Sequence, residues 1–82
     1  MLYAVFNHSD YGYPSQGQAA IDAGLVVGER YEVEHVHMGQ SSTTIKLVGL
    51  GLRNSIMFDF ENDDGTPCDI YRDPKYNPYI NI

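Results

Sequence analysis

Hydrophobic and polar residues alternate along the first segment of the chain, from Leu2 to Asn7, where Leu2, Ala4 and Phe6 share one parity. Successive side chains of a β-strand point to opposite faces, so a period of two predicts a strand with one buried face. The apolar stretch is short and has no basic residues before it, which argues against a secretory signal. We therefore expect the chain to begin with a strand of a folded domain.

The spacing of apolar residues then changes to that of a helix. Ser15 is expected to be the N-cap, and Gln18, three residues later, completes a capping box. Ala20 and Ile21 supply an apolar side, and Gly24 supplies the left-handed residue at which many helices end. The sequence predicts one helix of about two turns between these signals.

A second change of period marks the next strand. Tyr31 and Val33 share one parity, but Val36 and Met38 continue the apolar face on the opposite parity. One inserted residue restores the phase of a strand, so we expect a β-bulge near Glu34-His35.

Two further strands are expected after a turn at Gly39 to Ser42. The first runs from Thr43 to Leu50, with Ile45 and Leu47 facing inward. The second runs from Asn54 to Glu61 and carries three apolar residues on one face: Ile56, Phe58 and Phe60.

The remaining segment is rich in turn residues. Asn62 to Gly65 predicts a hairpin turn, since Asn and Gly tolerate positive φ. Cys68, Ile70 and Tyr71 are expected to form a short closing strand. Two prolines in the tail, residues 73–82, exclude a helix there.

Short strands separated by turns about every eight to twelve residues indicate a small all-β architecture. The expected fold class is mostly β (small α+β), a strongly bent antiparallel sheet or SH3-like barrel of four or five strands with one short N-terminal helix. The 82 residues make one domain. Within it we expect a strand and helix in 1–24, the barrel in 25–72, and a Pro/Tyr tail in 73–82.

The charge and the single cysteine limit the function classes. Eleven acidic and five basic side chains give a net charge of −6. Such a chain is a poor phosphate binder, so direct nucleic-acid binding is not expected. No apolar run is long enough for a membrane span, and a lone Cys68 suits a reducing cytoplasm. The Asp69 carboxylate beside it is expected to raise the thiol pKa. With no motif of nucleophilic catalysis present, we expect neither an enzyme nor a cofactor.

Two histidines in the bulged strand are the one candidate metal site. Residues i and i+2 of a strand share a face, so His35 and His37 could bind one metal ion. The adjacent bulge weakens this argument, and exposed histidines need no ligand. A third ligand would have to come from one of four distant residues: His8, Asp10, Asp59 or Asp69.

Carboxylates and tyrosines are concentrated toward the end of the chain. Residues 59–82 hold six acids and two bases. Carboxylates of one sign without local pairing add little to stability, which makes them candidates for recognition. Tyrosine, with a large contact area and a polar tip, is enriched at protein interfaces. The predicted partner-binding residues are Asp59, Glu61, Asp63, Asp64, Asp69, Asp73, Tyr71, Tyr76 and Tyr79.

The segment Leu25-x-x-Gly28-x-x-Tyr31-x-Val33 resembles the opening of small SH3-like barrels, and residues 54–58 and 62–65 resemble their later strand and turn. The resemblance implies an orphan protein of a phage or mobile element of Gram-positive bacteria. Proteins of that kind are often inhibitors of host defence, such as anti-CRISPR proteins, and act in the cytoplasm of the bacterial host.

The leading hypothesis is therefore a non-enzymatic protein-binding module. In its most concrete form it covers a basic nucleic-acid-binding surface on a host defence nuclease, because a carboxylate-rich face competes for Lys and Arg. One alternative is a homo-oligomeric structural or accessory protein. The other is a small metal-dependent enzyme that uses His35 and His37.

Overall fold

The computed structural model describes residues 1–80. It contains five strands, one α-helix and one 3-10 helix. In chain order these are β1 (Tyr3–Val5), α1 (Pro14–Asp22), β2 (Arg30–Met38), β3 (Thr43–Leu47), β4 (Gly51–Asn54), the 3-10 helix (Ser55–Met57) and β5 (Asp59–Glu61).

The five strands form one antiparallel sheet in the order β4-β3-β2-β1-β5. The mostly β class with one short helix is confirmed. Of the two expected forms, an antiparallel sheet or a barrel, the sheet is the one observed: it is not closed, and β4 and β5 lie at its opposite edges. The chain covers the β5 edge instead of closing the sheet: the Cys68 N–H donates to the Phe60 carbonyl, and the Asn62 N–H donates to that of Thr66.

The β-bulge predicted in β2 is confirmed. Val33 pairs with Leu47, while His35 pairs with Lys46, so Glu34 is the inserted residue. Val36 then returns to the core face, where it packs against the buried cluster. The bulge is what allows one long strand to keep its apolar side chains on one face despite the change of parity.

Helix α1 begins two residues earlier than the sequence predicted. Its N-cap is Tyr13, which makes no side-chain capping hydrogen bond, and Pro14 occupies the first helical turn. The prediction of Ser15 as N-cap is wrong, because the fixed φ of proline and its missing N–H favour the first helical position. The C-terminal end is as expected: Gly24 has φ 104°, and the Leu25 N–H returns to the Ala20 carbonyl.

The strand expected from Asn54 to Glu61 is broken, and that prediction is wrong. The Asn54 side chain accepts the Ile56 N–H and caps the 3-10 helix, which interrupts the extended chain. As a result Ile56 is 45% exposed, while Phe58 and Phe60 are buried as predicted. The strand expected from Thr43 also ends early, at Leu47, with its inward residues where the pattern put them.

The closing strand predicted around Cys68 is an irregular segment with a single bridge, between Glu61 and Pro67. Ile70 in this segment is nevertheless fully buried. Residues 71–80 form turns, and Tyr76 packs against the core, so this part of the tail lies on the domain. Positions 81 and 82 of the expected tail lie outside the described residues.

The core lies between the sheet and α1. Its members come from every part of the chain: Leu2, Ala4, Phe6, Ala20, Leu25, Val33, Ile45, Leu47, Met57, Phe58, Phe60 and Ile70. The Phe6 and Phe58 rings pack with their centroids 5.3 Å apart. The structure therefore has one thin core that depends on residues near both ends of the described chain.

Gly17 gives a test of how closely α1 approaches the loop before it. A Cβ on this buried glycine would lie 2.0 Å from the Ser9 carbonyl oxygen. Gly to Ala in a helix interior normally stabilises by about 1 kcal/mol. We predict the opposite sign for Gly17→Ala, a loss of about 1–3 kcal/mol in the free energy of unfolding, because backbone must move to relieve the overlap.

Urea unfolding followed by circular dichroism measures this change. Ser15→Ala is the matched control, since Ser15 is exposed and is not the N-cap. It should cost much less than the roughly 1 kcal/mol expected when an N-cap is removed. A stabilised Gly17→Ala variant would contradict the described approach of α1 to Ser9.

Candidate functional site: an acidic groove beside β5

A surface groove runs between β5 and the irregular segment that covers it. It has a volume of about 560 Å³, and three carboxylates and a tyrosine of the predicted set line it: Asp59, Glu61, Asp69 and Tyr71. Apolar side chains, among them Val5 and Phe58, also line it. We call this feature the acidic groove.

The alternating direction of the side chains along β5 determines where two of the groove carboxylates lie. Phe60 points into the core, so Asp59 and Glu61 on either side of it point away. Asp69 reaches the same place from the irregular segment, where its Oδ1 accepts the Tyr71 N–H at 3.1 Å. Such a side chain-to-backbone bond is an Asx turn, which fixes the carboxylate next to the turn it stabilises.

Asp59 is held by two side chains from the segment after β1. Asn7 Nδ2 donates to its Oδ2 at 2.8 Å, and His8 Nε2 lies 2.9 Å from its Oδ1. The His8 ring in turn stacks on Tyr11, with centroids 4.4 Å apart. The hydrogen bond from Asn7, then that from His8, lowers the pKa of Asp59 below 3.8. The carboxylate is thus charged and oriented at neutral pH.

Glu61 and Asp69 each have a cation nearby, in very different surroundings. Arg30 Nε contacts Glu61 Oε1, and the Arg30 guanidinium also lies 3.6 Å above the ring of Tyr3. Arg72 Nε lies 3.7 Å from Asp69, but its side chain is 88% exposed. An exposed pair of this kind contributes little to stability, so Asp69 remains open to another cation.

The other predicted carboxylates are also engaged locally. Asp63 accepts the Met1 amino group at 2.9 Å, Asp64 accepts both the Thr66 hydroxyl and its N–H, and Asp73 accepts the Lys75 N–H at 2.9 Å. The hydrogen bonds from Thr66 lower the pKa of Asp64 below 3.8. The premise that these carboxylates lack local partners is therefore wrong. Each of the six accepts a hydrogen bond or forms an ion pair within residues 1–80.

The structure divides the nine predicted residues. Four line the acidic groove. A neighbouring hollow at the turn brings together Asp63, Asp64 and the half-buried Tyr76. Asp73 and the exposed Tyr79 line neither feature. Tyr71 exposes part of its ring while its hydroxyl lies 2.7 Å from Ser55 Oγ.

Cys68 lines the acidic groove, and sequence reasoning did not place it there. Burial, followed by the charges of Asp73 and Asp69, raises its thiol pKa above 9.0. The expected direction of this shift is confirmed, and the thiol stays protonated at neutral pH. Sequence reasoning also missed Asn7 and Arg30, because nothing local marks a residue that will meet a carboxylate from the other end of the chain.

His35 and His37 do share a face of β2. Both lie after the bulge, and their ring centroids are 4.3 Å apart in an edge-to-face arrangement. Within residues 1–80, no three His, Cys, Asp or Glu side chains are grouped so that they could hold a metal ion. The histidines thus form a pair of potential ligands on an exposed surface.

The fold and the groove describe a small, mostly β protein with an acidic surface groove. In the described part of the chain, no helix is long and apolar enough to cross a membrane. The chain belongs to the family described as Bacteriophage T4 protein Y07B, whose model matches residues 1–82. This match confirms the expectation of a phage protein. No curated protein and no solved structure matches the chain.

The low pKa of Asp59 predicts part of the response of this protein to acid. A carboxyl whose folded-state pKa is depressed stabilises the fold above its unfolded pKa, and this contribution is lost as pH falls through the folded value. We therefore predict that Asp59→Asn flattens the decline in stability below about pH 4. Urea unfolding midpoints measured across the acid range check this.

Asp10→Asn is the control for this experiment. It removes one negative charge at an exposed residue outside the acidic groove, and so reports the effect of charge alone. If Asp59→Asn and Asp10→Asn give the same profile, the bonds from Asn7 and His8 do not shift the titration of Asp59.

Proposed function

We propose that this phage protein is a non-enzymatic binding protein that uses the acidic groove to occupy a basic surface on a larger host protein. The most concrete partner is a host defence nuclease whose basic surface otherwise holds nucleic acid. The observation that carries the proposal is the grouping of three carboxylates and apolar side chains along one open groove.

The groove suits the side chain of arginine or lysine. These side chains have a long aliphatic stem that packs on apolar surface and a cationic head that stays near polar groups. Val5, Phe58 and Pro67 offer contacts for the stem. Asp59 and Asp69 offer carboxylate oxygens for the head, and charge-assisted hydrogen bonds of this kind are the stronger ones in proteins.

The local hydrogen bonds of the carboxylates favour such binding. Ordering a free side chain on association costs about 0.5–1.5 kcal/mol. Asn7 and His8 already orient Asp59, and the Tyr71 N–H already orients Asp69, so much of this cost is met on folding. An ionised carboxylate has about four lone-pair sites, so these local bonds leave acceptor capacity for a partner.

The charge of the whole chain adds a long-range contribution. The net charge is −6, and six of the eleven acids lie in residues 59–82. A field of one sign raises the rate at which an oppositely charged partner is met, and salt reduces the effect. Tyr76 and Tyr79, which lie beyond the groove, are proposed as aromatic contacts of the same partner.

A double variant, Asp59→Asn with Asp69→Asn, tests the groove. Each amide keeps one oxygen while a charge is removed: at position 69 it can still accept the Tyr71 N–H, and at position 59 it can keep one of the two hydrogen bonds that Asp59 accepts. We predict that the wild-type protein, used as bait in bacterial lysate at low salt, retains a basic partner that the double variant loses, with association slowed at least about tenfold. The measurement is affinity capture with mass spectrometry, followed by binding kinetics at several salt concentrations.

Asp10→Asn with Asp22→Asn is the matched control, because it makes the same change in net charge at exposed residues outside the groove. This control should retain the partner. Equal loss in both double variants would show that net charge, and not the groove, is responsible. If the captured partner is a nuclease, added wild-type protein should reduce its cleavage of nucleic acid; unchanged cleavage would contradict the inhibitor proposal while leaving the binding proposal in place.

A second candidate function, self-association, is favoured by the other edge of the sheet. Within the described residues β4 pairs with β3 alone, and Leu52 on it is 58% exposed. An open strand edge with apolar side chains is a template for pairing with another chain. Val48, next to β3, is exposed as well.

Light scattering of the purified chain distinguishes this candidate from a monomeric binder. If the protein assembles through β4, Leu52→Lys should dissociate the oligomer, because a charge on an edge strand opposes pairing. Ile56→Lys, an equal change at an exposed residue outside β4, should leave the oligomer intact. A wild-type protein that is monomeric at all concentrations excludes this candidate.

A further inference from the structure

Four of the five cationic side chains of the protein lie beside a carboxylate or an aromatic ring, and Arg53 is the fifth. Three pair with carboxylates and a fourth, Lys75, lies over the ring of Tyr76. Arg53 has no carboxylate within ion-pair distance in residues 1–80. Its Nε is shielded from solvent and donates to no acceptor in that part of the chain.

The position of Arg53 in the sheet explains why this nitrogen is shielded. Arg53 pairs with Ile45, and Ile45 pairs with Val36, so all three share the core face of the sheet. The arginine lies at the end of this row, on the edge strand β4. A shielded donor without an acceptor destabilises the fold, and more so when the group is charged. A guanidinium whose Nε lacks an acceptor is therefore a feature that needs an explanation.

Arg53 lines a cavity between α1 and the β3–β4 edge. This cavity has a volume of about 490 Å³, and none of the residues that line it is acidic, in a protein with eleven acidic side chains. Polar groups surround the arginine, including Tyr13, Gln16, Thr44 and Asn54. We call this feature the Arg53 cavity. Its size lies within the range of about 300–1,000 Å³ usual for small-molecule sites.

The first turn of α1 adds to the positive character of the Arg53 cavity. Tyr13 and Gln16, which line the cavity, lie at the start of this helix. Its N-cap makes no side-chain hydrogen bond, and its first turn contains no acidic residue. The N-terminus of a helix carries a partial positive charge, which favours a nearby anion.

We propose that the Arg53 cavity binds a small molecule that carries an oxyanion, a carboxylate or a phosphate, held by the guanidinium of Arg53. The guanidinium fork matches the two oxygens of such a group, with Nε and one Nη donating in parallel. The proposed binding turns Nε, which is shielded from solvent, toward the cavity. No hydrogen bond at Nε to the described residues opposes that turn.

The rest of the lining indicates what accompanies the oxyanion. Ala19, Leu52 and Met57 contribute apolar surface to the cavity. A ligand with a compact apolar body beside its charged group therefore fits better than a free inorganic ion. The Arg53 cavity is separate from the acidic groove, because β4 and β5 are the opposite edges of the sheet. The proposal of a ligand in this cavity therefore does not depend on the proposed partner protein.

Titrations of the isotopically labelled full chain test this proposal. The probes are inorganic phosphate and benzoate, followed through the side-chain Nε–H signal of Arg53 and the backbone signals of Tyr13, Gln16 and Thr44. We expect saturable shifts confined to the cavity with at least one probe. Saturation by benzoate alone identifies a carboxylate with an apolar body, and saturation by phosphate alone identifies a phosphate group.

Two arginine variants and one control complete the test. Arg53→Met removes the charge at nearly constant shape, and Arg53→Lys keeps the charge but loses the fork. Both should weaken binding of the probe at least about tenfold. Arg72→Met, the same change at a highly exposed arginine outside the cavity, should leave the affinity unchanged.

Thermal unfolding of each variant establishes that it is folded. The wild-type titration does not depend on any variant, so it decides the matter by itself if a variant fails to fold. The proposal is overturned if neither probe gives saturable shifts. It is also overturned if the shifts persist in a folded Arg53→Met protein.

Discussion

The structure depends on a strand of three residues that is paired on both sides. β1 lies between β2 and β5, so that Ala4 is opposite Tyr31 on one side and opposite Phe60 on the other. The order of the sheet makes β1 the strand that joins the β2-β3-β4 meander to β5. Ala4 has no exposed surface. A larger side chain at that position would meet a filled core, and small-to-large changes in such places commonly cost about 1–3 kcal/mol.

This central pairing also builds the acidic groove. β5 is positioned by β1, and Asn7, just beyond β1, orients Asp59. Arg30 at the start of β2 reaches Glu61 from the other side of β1. Two of the three groove carboxylates, Asp59 and Glu61, therefore also tie the last strand to the chain around the first two strands.

The elements that depend on local pattern could be predicted from the sequence. The bulge in β2 follows from a change of parity between Val33 and Val36, and the end of α1 follows from Gly24. The break after Asn54 could not be predicted in the same way. Ile56, Phe58 and Phe60 have the period of a strand, but the capping bond from Asn54 to the Ile56 N–H competes with extended structure.

The candidate site was predictable in composition but not in contacts. The carboxylates of residues 59–73 are visible in the sequence, and four of the nine predicted residues do line one groove. Their bonds to Asn7, His8 and Arg30 join segments that are distant along the chain, and no local signal marks them. Local pattern likewise did not determine whether the sheet is open or closed, because the segment expected to close it makes only one bridge, between Glu61 and Pro67.

The complete burial of Ile70 has a consequence for synthesis. This residue comes from the last part of the described chain and fills the same core as Leu2. At a translation rate of about 5–20 residues per second, roughly 3–14 seconds of synthesis separate Leu2 from Ile70. Until Ile70 has been made, the nascent chain holds Phe6 and Ile45 without a residue of the core that they share. Packing of this core is thus coupled to the synthesis of Ile70, and a chain released before that point would present exposed apolar surface to the chaperones and proteases of its surroundings.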